Sequence, residues 1–240
     1  MHRRTATLLS QLWLDVADED LGLELRPGDA HYRAYVGPPH DYDLIAATTF
    51  SLLAQVGLRQ HHAVLDIGCG SLRIGRLLIP YLNAGRYWGI EPNRWLVEEG
   101  IAREVGADQV LIKRPRFSFA THARELPSGE RFDFALAQSI FSHCGVDLVL
   151  SWLHDVDQRL AEDGVFVATF LPAPQARLDG GWFYPECIGH PAGAIAALAD
   201  RVGLEMQRLD WPHPRQQWAA FARPGVLARK LPPQLLAPVE

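Results

Sequence analysis

Cysteine is scarce in this chain of 240 residues: three, at positions 69, 144 and 187, an odd number without C-x-x-C spacing. That pattern excludes a disulfide framework and a structural zinc site, predicts no bound metal, and fits the reducing cytoplasm. No apolar run approaches the length of a membrane span. The short one after Arg3-Arg4 is interrupted by Ser10 and Gln11 and ends at Asp15 without a small-residue cleavage site, so neither an anchor nor an export signal is expected. Clustered positive charge is missing too. Lys and Arg number 23 against 28 Asp and Glu, and the net charge of -5 is spread along the chain, which removes the electrostatic footprint of a DNA binder and favours a small-molecule partner.

Apolar residues make up 48% of the chain, enough to build one full core, and a single α/β domain is the expectation. Its organising stretch is His62 to Asn93. The apolar run Ala63 to Ile67 reads as a buried parallel strand, Gly68-Cys69-Gly70 as a tight turn, and a helical pattern starts near Leu72. A second strand, Tyr87 to Ile90, ends on Glu91, about 20 residues beyond the turn, the separation at which a ribose-binding carboxylate stands in a nucleotide-binding βαβ unit. Glycines let the backbone approach a ligand closely, and a carboxylate accepts hydrogen bonds from both ribose hydroxyls. A dinucleotide fold needs G-x-G-x-x-G, but position 73 is Arg, and Asp66 at the strand end would repel a pyrophosphate while suiting an ammonium group.

With these residues the chain resembles the class I S-adenosylmethionine (SAM) dependent methyltransferases. LDIGCG (Leu65 to Gly70) is similar to their first motif, Glu91 in GIEPN to their second, FDFALAQSIFSHC (Phe132 to Cys144) to the fourth strand with its active-site segment, and DGVFVATF (Asp163 to Phe170) to the fifth. The resemblance spans roughly residues 40 to 223, and GCGSLRIGRLLIPYL, AQSIFSH and HPRQQW are similar to bacterial members without a settled substrate. It implies a Rossmann-like doubly wound sheet, mostly parallel with an antiparallel last strand. It also implies SAM as cofactor, with Gly68, Cys69 and Gly70 on the methionine part, Asp66 on the ammonium group, Arg73 on the carboxylate, and Glu91 with Pro92 at the ribose. Gln138 and Ser139 would close the cofactor site at the fourth strand end. The chain departs from the family after the third strand, expected at Gln109 to Lys113. The following Lys113-Arg114-Pro115-Arg116 is basic, Phe117 and Phe119 are the stacking candidates, Glu125 stands far along, and the adenine contacts stay unassigned. An N-P-P-Y or D-P-P-Y tetrapeptide is missing, which argues against methylation of a flipped DNA base.

His143, at the strand end that faces the methyl group in the family, is the candidate general base. Around it, substrate-contact candidates fall in three loops: Tyr35 and Tyr42 in the lid-like stretch Leu25 to Asp43; Trp182, Tyr184 and His190 in the long loop Leu171 to His190; and His213 in the turn of a terminal hairpin, Glu205 to Leu209 with Trp218 to Ala222. Residues 7 to 16 pattern as a helix that docks on the domain or on the second subunit of a homodimer, the oligomeric state staying open. The chain therefore divides into an N-terminal helical cap (1–60), a core (61–224) and a loosely held tail (225–240). Methyl transfer to an oxygen or nitrogen of a small molecule is the leading expectation. A non-catalytic SAM-binding protein, a protein or RNA methyltransferase, and, disfavoured by the missing third glycine, a nicotinamide-dependent oxidoreductase stand beside it.

Overall fold

The computed structural model describes residues 21–175 and 180–238. The expected helix at residues 7 to 16 lies outside the described residues. Two single turns, Ala34–Val36 and Pro39–Asp41, lead into helix α1 (Tyr42–Gln55), which stops where Gly57 takes φ +105. Strand β1 (Val64–Ile67), helix α2 (Gly75–Tyr81) and strand β2 (Tyr87–Ile90) form the expected βαβ unit. Helix α3 (Arg94–Gly100) runs on through a wider turn at Ile101–Val105 into helix α4 (Ala107–Lys113) and strand β3 (Arg116–Ser118). Strand β4 (Phe132–Ala137), helix α5 (Val146–Asp157), strand β5 (Leu160–Pro172), the short strand β6 (Gly189–His190), helix α6 (Ala192–Asp200), strands β7 (Glu205–Leu209) and β8 (Gln217–Ala222) and helix α7 (Val226–Lys230) complete the order.

The sheet runs β3-β2-β1-β4-β5-β8-β7, with β6 added on the end of β5. Strands β1 to β5 pair in parallel, and β8 enters antiparallel between β5 and β7. Two-residue alternation explains why both faces are covered. Phe134 and Leu136 of β4, Val165 and Val167 of β5, and Trp218 and Ala220 of β8 point to the side of α1, α2 and α7. Their neighbours Ala135, Ala137, Phe166, Ala168, Ala219 and Phe221 point to the side of α5 and α6. The order reverses direction between β1 and β4, and the carboxyl ends of those two strands flank the crevice where open α/β sheets bind ligands.

Two expectations are corrected. The run Gln109 to Lys113 is helix, and the third strand is Arg116–Ser118. Leu111 and Ile112 stand 76% and 62% exposed, so their side chains never enter the sheet. The true β3 is an edge strand with an exposed arginine and two half-buried residues, too little apolar surface to show as a periodic run. The tail is also docked. Leu231 and Leu235 are buried in the core, the Asp210 amide donates to Leu235 O at 2.9 Å, and the Ala237 amide to Arg208 O at 3.1 Å.

Candidate cofactor and acceptor site

The turn after β1 is built by its glycines. Gly68 and Gly70 take φ +66 and +53, a region costly for residues with a Cβ, and the amides of Gly68 and Cys69 both donate to Ile90 O at the end of β2 (2.8 and 3.0 Å). A Cβ at position 70 would stand 2.6 Å from Val36 Cγ1, and one at position 68 would collide with Ile140 Cδ1. Those two contacts place the lid-like stretch on one side of the turn and the post-β4 segment on the other. The helix that follows starts at Gly75, three residues later than the apolar pattern suggests, because Leu72 is itself held at φ +61.

Three charged side chains converge on this turn, all buried. Glu91 Oε2 accepts from the Gly70 amide (3.1 Å), and Oε1 accepts from the amide and side chain of Asn93 (2.8 and 2.9 Å). Burial raises its pKa, against the pull of these donors. Asp66 accepts from the Tyr87 hydroxyl at 2.8 Å, and burial holds its pKa up at about 7, against the opposing pull of that bond and of Arg73. The Arg73 guanidinium donates to Val36 O (3.0 Å) and to Gln138 Oε1, both neutral oxygens, while its Nε is buried without a partner. Burial lowers its pKa to about 10, so it is charged at neutral pH. A buried cation without an ion-paired carboxylate among the described residues is costly unless an anion reaches it.

The β4 end continues the network. Ser139, at φ +62, donates its amide to Thr169 Oγ1 (2.8 Å), and its hydroxyl oxygen accepts from Gln138 Nε2 (2.8 Å) and Gln216 Nε2 (2.9 Å). His143 follows in a single turn, Phe141–His143, with Nδ1 2.6 Å from Glu186 O. A carbonyl only accepts, so Nδ1 carries the proton and Nε2 presents its lone pair. Burial lowers the His143 pKa, the Glu186 carbonyl opposes this, and the Arg215 charge adds to it. Its ring packs against Trp182 (5.6 Å between centroids) and Tyr184 (5.2 Å). Tyr184 donates to Tyr35 O at 2.5 Å, and Tyr35 packs edge-on against Trp95. The lid-like stretch and the 182–190 loop thus meet above the strand ends. Arg33 and Arg76, both paired with Glu104 and Asp43, tie that stretch to α1, α2 and the turn after α3.

The expected substrate residues separate into two groups. Trp182 and Tyr184 pack on His143, and Tyr35 packs on Tyr184 behind them (4.9 Å between centroids). Tyr42 and His190 have no exposed surface: the Tyr42 hydroxyl meets Ser71, and His190 Nε2 meets Cys144 O at 2.9 Å. His213 belongs elsewhere in the same network, 3.2 Å from Gln138 Nε2, on the wall of a cavity of about 1000 Å³ between the end of β5, the start of α6 and the β7–β8 turn. Cys144 is buried and its thiol pushed up to about 12, a packing group. Phe119 lies under the Arg94 guanidinium at 4.0 Å, and Glu125 is engaged by Thr121. Pro92 sits in the turn between β2 and α3. Gln216, Val36 and Ile140 escaped the sequence reading. The antiparallel sense of β8, which returns Gln216 to the edge where β1 and β4 end, was the signal for the first. No group of three or more metal-ligating side chains occurs among the described residues, nor does a helix long and apolar enough to cross a membrane.

A family profile described as a methyltransferase domain matches residues 65–166, the span from the glycine turn to β5. No curated protein sequence matches the chain. Among solved structures, magnesium protoporphyrin IX methyltransferase from Synechocystis with bound SAM superposes with a TM-score of 0.60 at 13% identity, covering 90% of this chain and 96% of that one. The CcbJ methyltransferase from Streptomyces caelestis gives 0.59 at 16% identity over 84% and 94% of the two chains. The DhpI complex with S-adenosylhomocysteine (SAH) gives 0.59 at 16% over 80% and 93%.

Proposed function

We propose that this chain is a class I methyltransferase, a reading supported by the domain profile over residues 65–166 and by the fold, that binds SAM against the glycine turn and transfers its methyl group to an oxygen or nitrogen of a small-molecule acceptor. One observation carries the reading: a buried arginine lacking a carboxylate partner stands beside two buried carboxylates at a turn whose two glycines take positive φ. That set matches a ligand that ends in a zwitterionic amino acid and also carries a ribose. Arg73 would take the carboxylate, Asp66 the ammonium group, Glu91 the ribose hydroxyls, and Gly68 to Gly70 the close approach. When bound, SAM supplies an electrophilic methyl group on a sulfonium and a neutral thioether as leaving group.

The protein's part is then mostly positioning. Holding two reactants in line is worth effective molarities of about 10⁵ M or more, so the walls formed by Tyr35, Tyr184 and Trp182 act by fixing the acceptor and excluding water. His143 Nε2, which has no hydrogen-bond partner among the described residues, on a ring whose pKa burial depresses, would take the acceptor's proton at neutral pH. The open groove that His213 lines, joined to this site through Gln138 and Gln216, offers room for a small acceptor. Labelled SAM incubated with the protein and a metabolite extract tests the reading. Label in the small-molecule fraction is the expected result, label in macromolecules would transfer the activity to protein or RNA, and bound SAM without transfer would leave a binding protein.

Arg73→Met should weaken SAM binding about 10- to 100-fold, because a charge-assisted contact is lost from a buried site. 5′-Methylthioadenosine, which lacks the amino-acid end, should bind wild type and variant alike. Equal losses for both ligands by calorimetry would remove Arg73 from the carboxylate.

Asp66 sets a pH dependence. Below its pKa of about 7 the carboxyl is protonated and offers an ammonium group no charge; above it the carboxylate attracts the cation. SAM affinity should therefore rise as pH increases from 6 to 8, with proton release on binding near pH 7. Asp66→Asn should flatten the profile. Calorimetry in buffers of different ionisation enthalpy measures the protons, and a flat wild-type profile would exclude the assignment.

A further inference from the structure

The cavity that His213 lines has an unusual hydrogen-bond inventory. Its charged lining residues are Arg208, Arg215 and a single acid, Asp210. Arg208 is turned to the Pro238 carbonyl at 2.8 Å, whereas the exposed Arg215 guanidinium makes no hydrogen bond or ion pair among the described residues. His213 Nδ1 accepts from the amides of Arg215 and Gln216 (3.2 and 2.9 Å), which leaves the neutral ring with its proton on Nε2. That Nε2 lies 3.2 Å from Gln138 Nε2. Arg73, which can only donate, holds Gln138 Oε1, so the Gln138 amide presents its NH₂ to the ring. Two donors therefore face one another with no acceptor between them. Gln216 holds the Ser139 and Ser142 hydroxyls with one end of its amide while the other end is buried without a partner.

We propose that the acceptor carries an anionic group, a carboxylate or a phosphate, that enters this cavity and is received by Arg215, the His213 Nε2–H and the Gln138 amide. An anion supplies an acceptor for the exposed Arg215 guanidinium and for the His213 Nε2–H, which otherwise faces another donor, while the Gln138 amide keeps its bond to Ser139 Oγ and has its second N–H to offer. The same field, after burial, contributes to holding the His213 pKa down at about 4, the charges of Arg73 and Arg215 both acting in that direction. Arg73, Gln138 and His213 form one chain of contacts from the glycine turn to the cavity, so an anchored anion would place the rest of the acceptor toward His143 and the cofactor site. Arg215 is a specificity residue here, not a participant in proton transfer. The assignment of this ligand as the acceptor rests on the methyltransferase reading; the anion site itself does not.

The test is an NMR titration of ¹⁵N-labelled protein loaded with SAH, following the Trp211 indole, which lies on the cavity wall and donates to Thr48 O at 2.9 Å. The probes are benzoate, inorganic phosphate and, as the neutral control, benzamide. One anion or the other should shift the signal saturably and bind at least about tenfold more tightly than benzamide, the expected margin for a charge-assisted contact. Which anion responds separates a carboxylate from a phosphate. Arg215→Gln should weaken that anion about tenfold and Arg215→Lys should recover most of it, while SAH affinity stays unchanged. Binding of neither anion above benzamide, or an anion affinity indifferent to Arg215→Gln, overturns the proposal. Anion binding by a protein that fails to bind SAH would uphold the site and overturn the cofactor reading alone.

Discussion

Glu91→Ala is expected to lower SAM affinity by roughly 30- to 1000-fold, the equivalent of about 2 to 4 kcal/mol, the largest binding effect of any single substitution in this protein. Two losses add. The variant removes the charged acceptor proposed for the ribose hydroxyls, and it also releases the Gly70 amide, which Glu91 Oε2 holds at 3.1 Å, together with both Asn93 donors on Oε1. An oxygen that already accepts one amide keeps a second lone pair, so the carboxylate can hold the turn and a hydroxyl together. Glu91→Gln separates the two functions. It keeps one oxygen for the turn and the thermal stability that goes with it, and loses the charge and half of the acceptor capacity. The expected order of SAM affinity by calorimetry is wild type, then Gln, then Ala, with the melting temperature falling clearly only for Ala. Wild-type affinity in a folded Glu91→Ala protein would remove the residue from the cofactor site.

What the sequence made legible follows the locality of each signal. The β1 turn, β2 and Glu91 form one stretch in which strand, glycines and acid are fixed by near neighbours, and the structure joins them through the Gly70 amide on Glu91. The fourth and fifth strands were readable for the same reason, as long apolar runs buried on both faces. The third strand was not. Its three residues pair only with β2 at the sheet edge, and a more apolar segment nearby, Val110 to Ile112, folds as helix because Gly106 breaks the preceding turn at φ +86 and Ala107 to Gln109 opens a new one. The docked tail was hidden by its prolines, which look like a loose segment until Leu231 and Leu235 find the face of the sheet beside α7. At the site, the hairpin of β7 and β8 was legible, but which side chains its turn brings to the β4 end, with Gln216 on Ser139 77 residues away and His213 on Gln138, was not encoded in any local pattern. Tyr42 shows the opposite error of scale. Its position among loop aromatics suggested ligand contact, but in the fold it is a core side chain beneath Arg33 and Arg76.

His143 is the proposed base, and on that proposal its removal should have the largest effect on rate. A positioned base contributes roughly 10² to 10⁴ in kcat, so His143→Asn and His143→Gln should both lose that factor while SAM affinity stays within about twofold of wild type. The sign of the pH dependence follows from the environment. Burial lowers the imidazole pKa from its ordinary value, and only the neutral ring can accept a proton. At saturating SAM, where the Asp66 dependence of cofactor affinity drops out, wild-type kcat should therefore rise with pH through an ionisation below about 6.5 and be flat across neutrality, and this limb should vanish in both variants. The hydrogen bond to Glu186 O makes a second distinction possible. If that bond fixes the tautomer, Nδ1 stays protonated and the active nitrogen is Nε2, which ¹⁵N shifts of the imidazole report directly. A residue that only positions the acceptor predicts otherwise: Asn, with an amide of similar reach, would preserve much of the turnover and the acidic limb would persist. Near wild-type kcat in His143→Asn with the limb intact would assign the rate to proximity, held by the Trp182 and Tyr184 wall against which the ring packs.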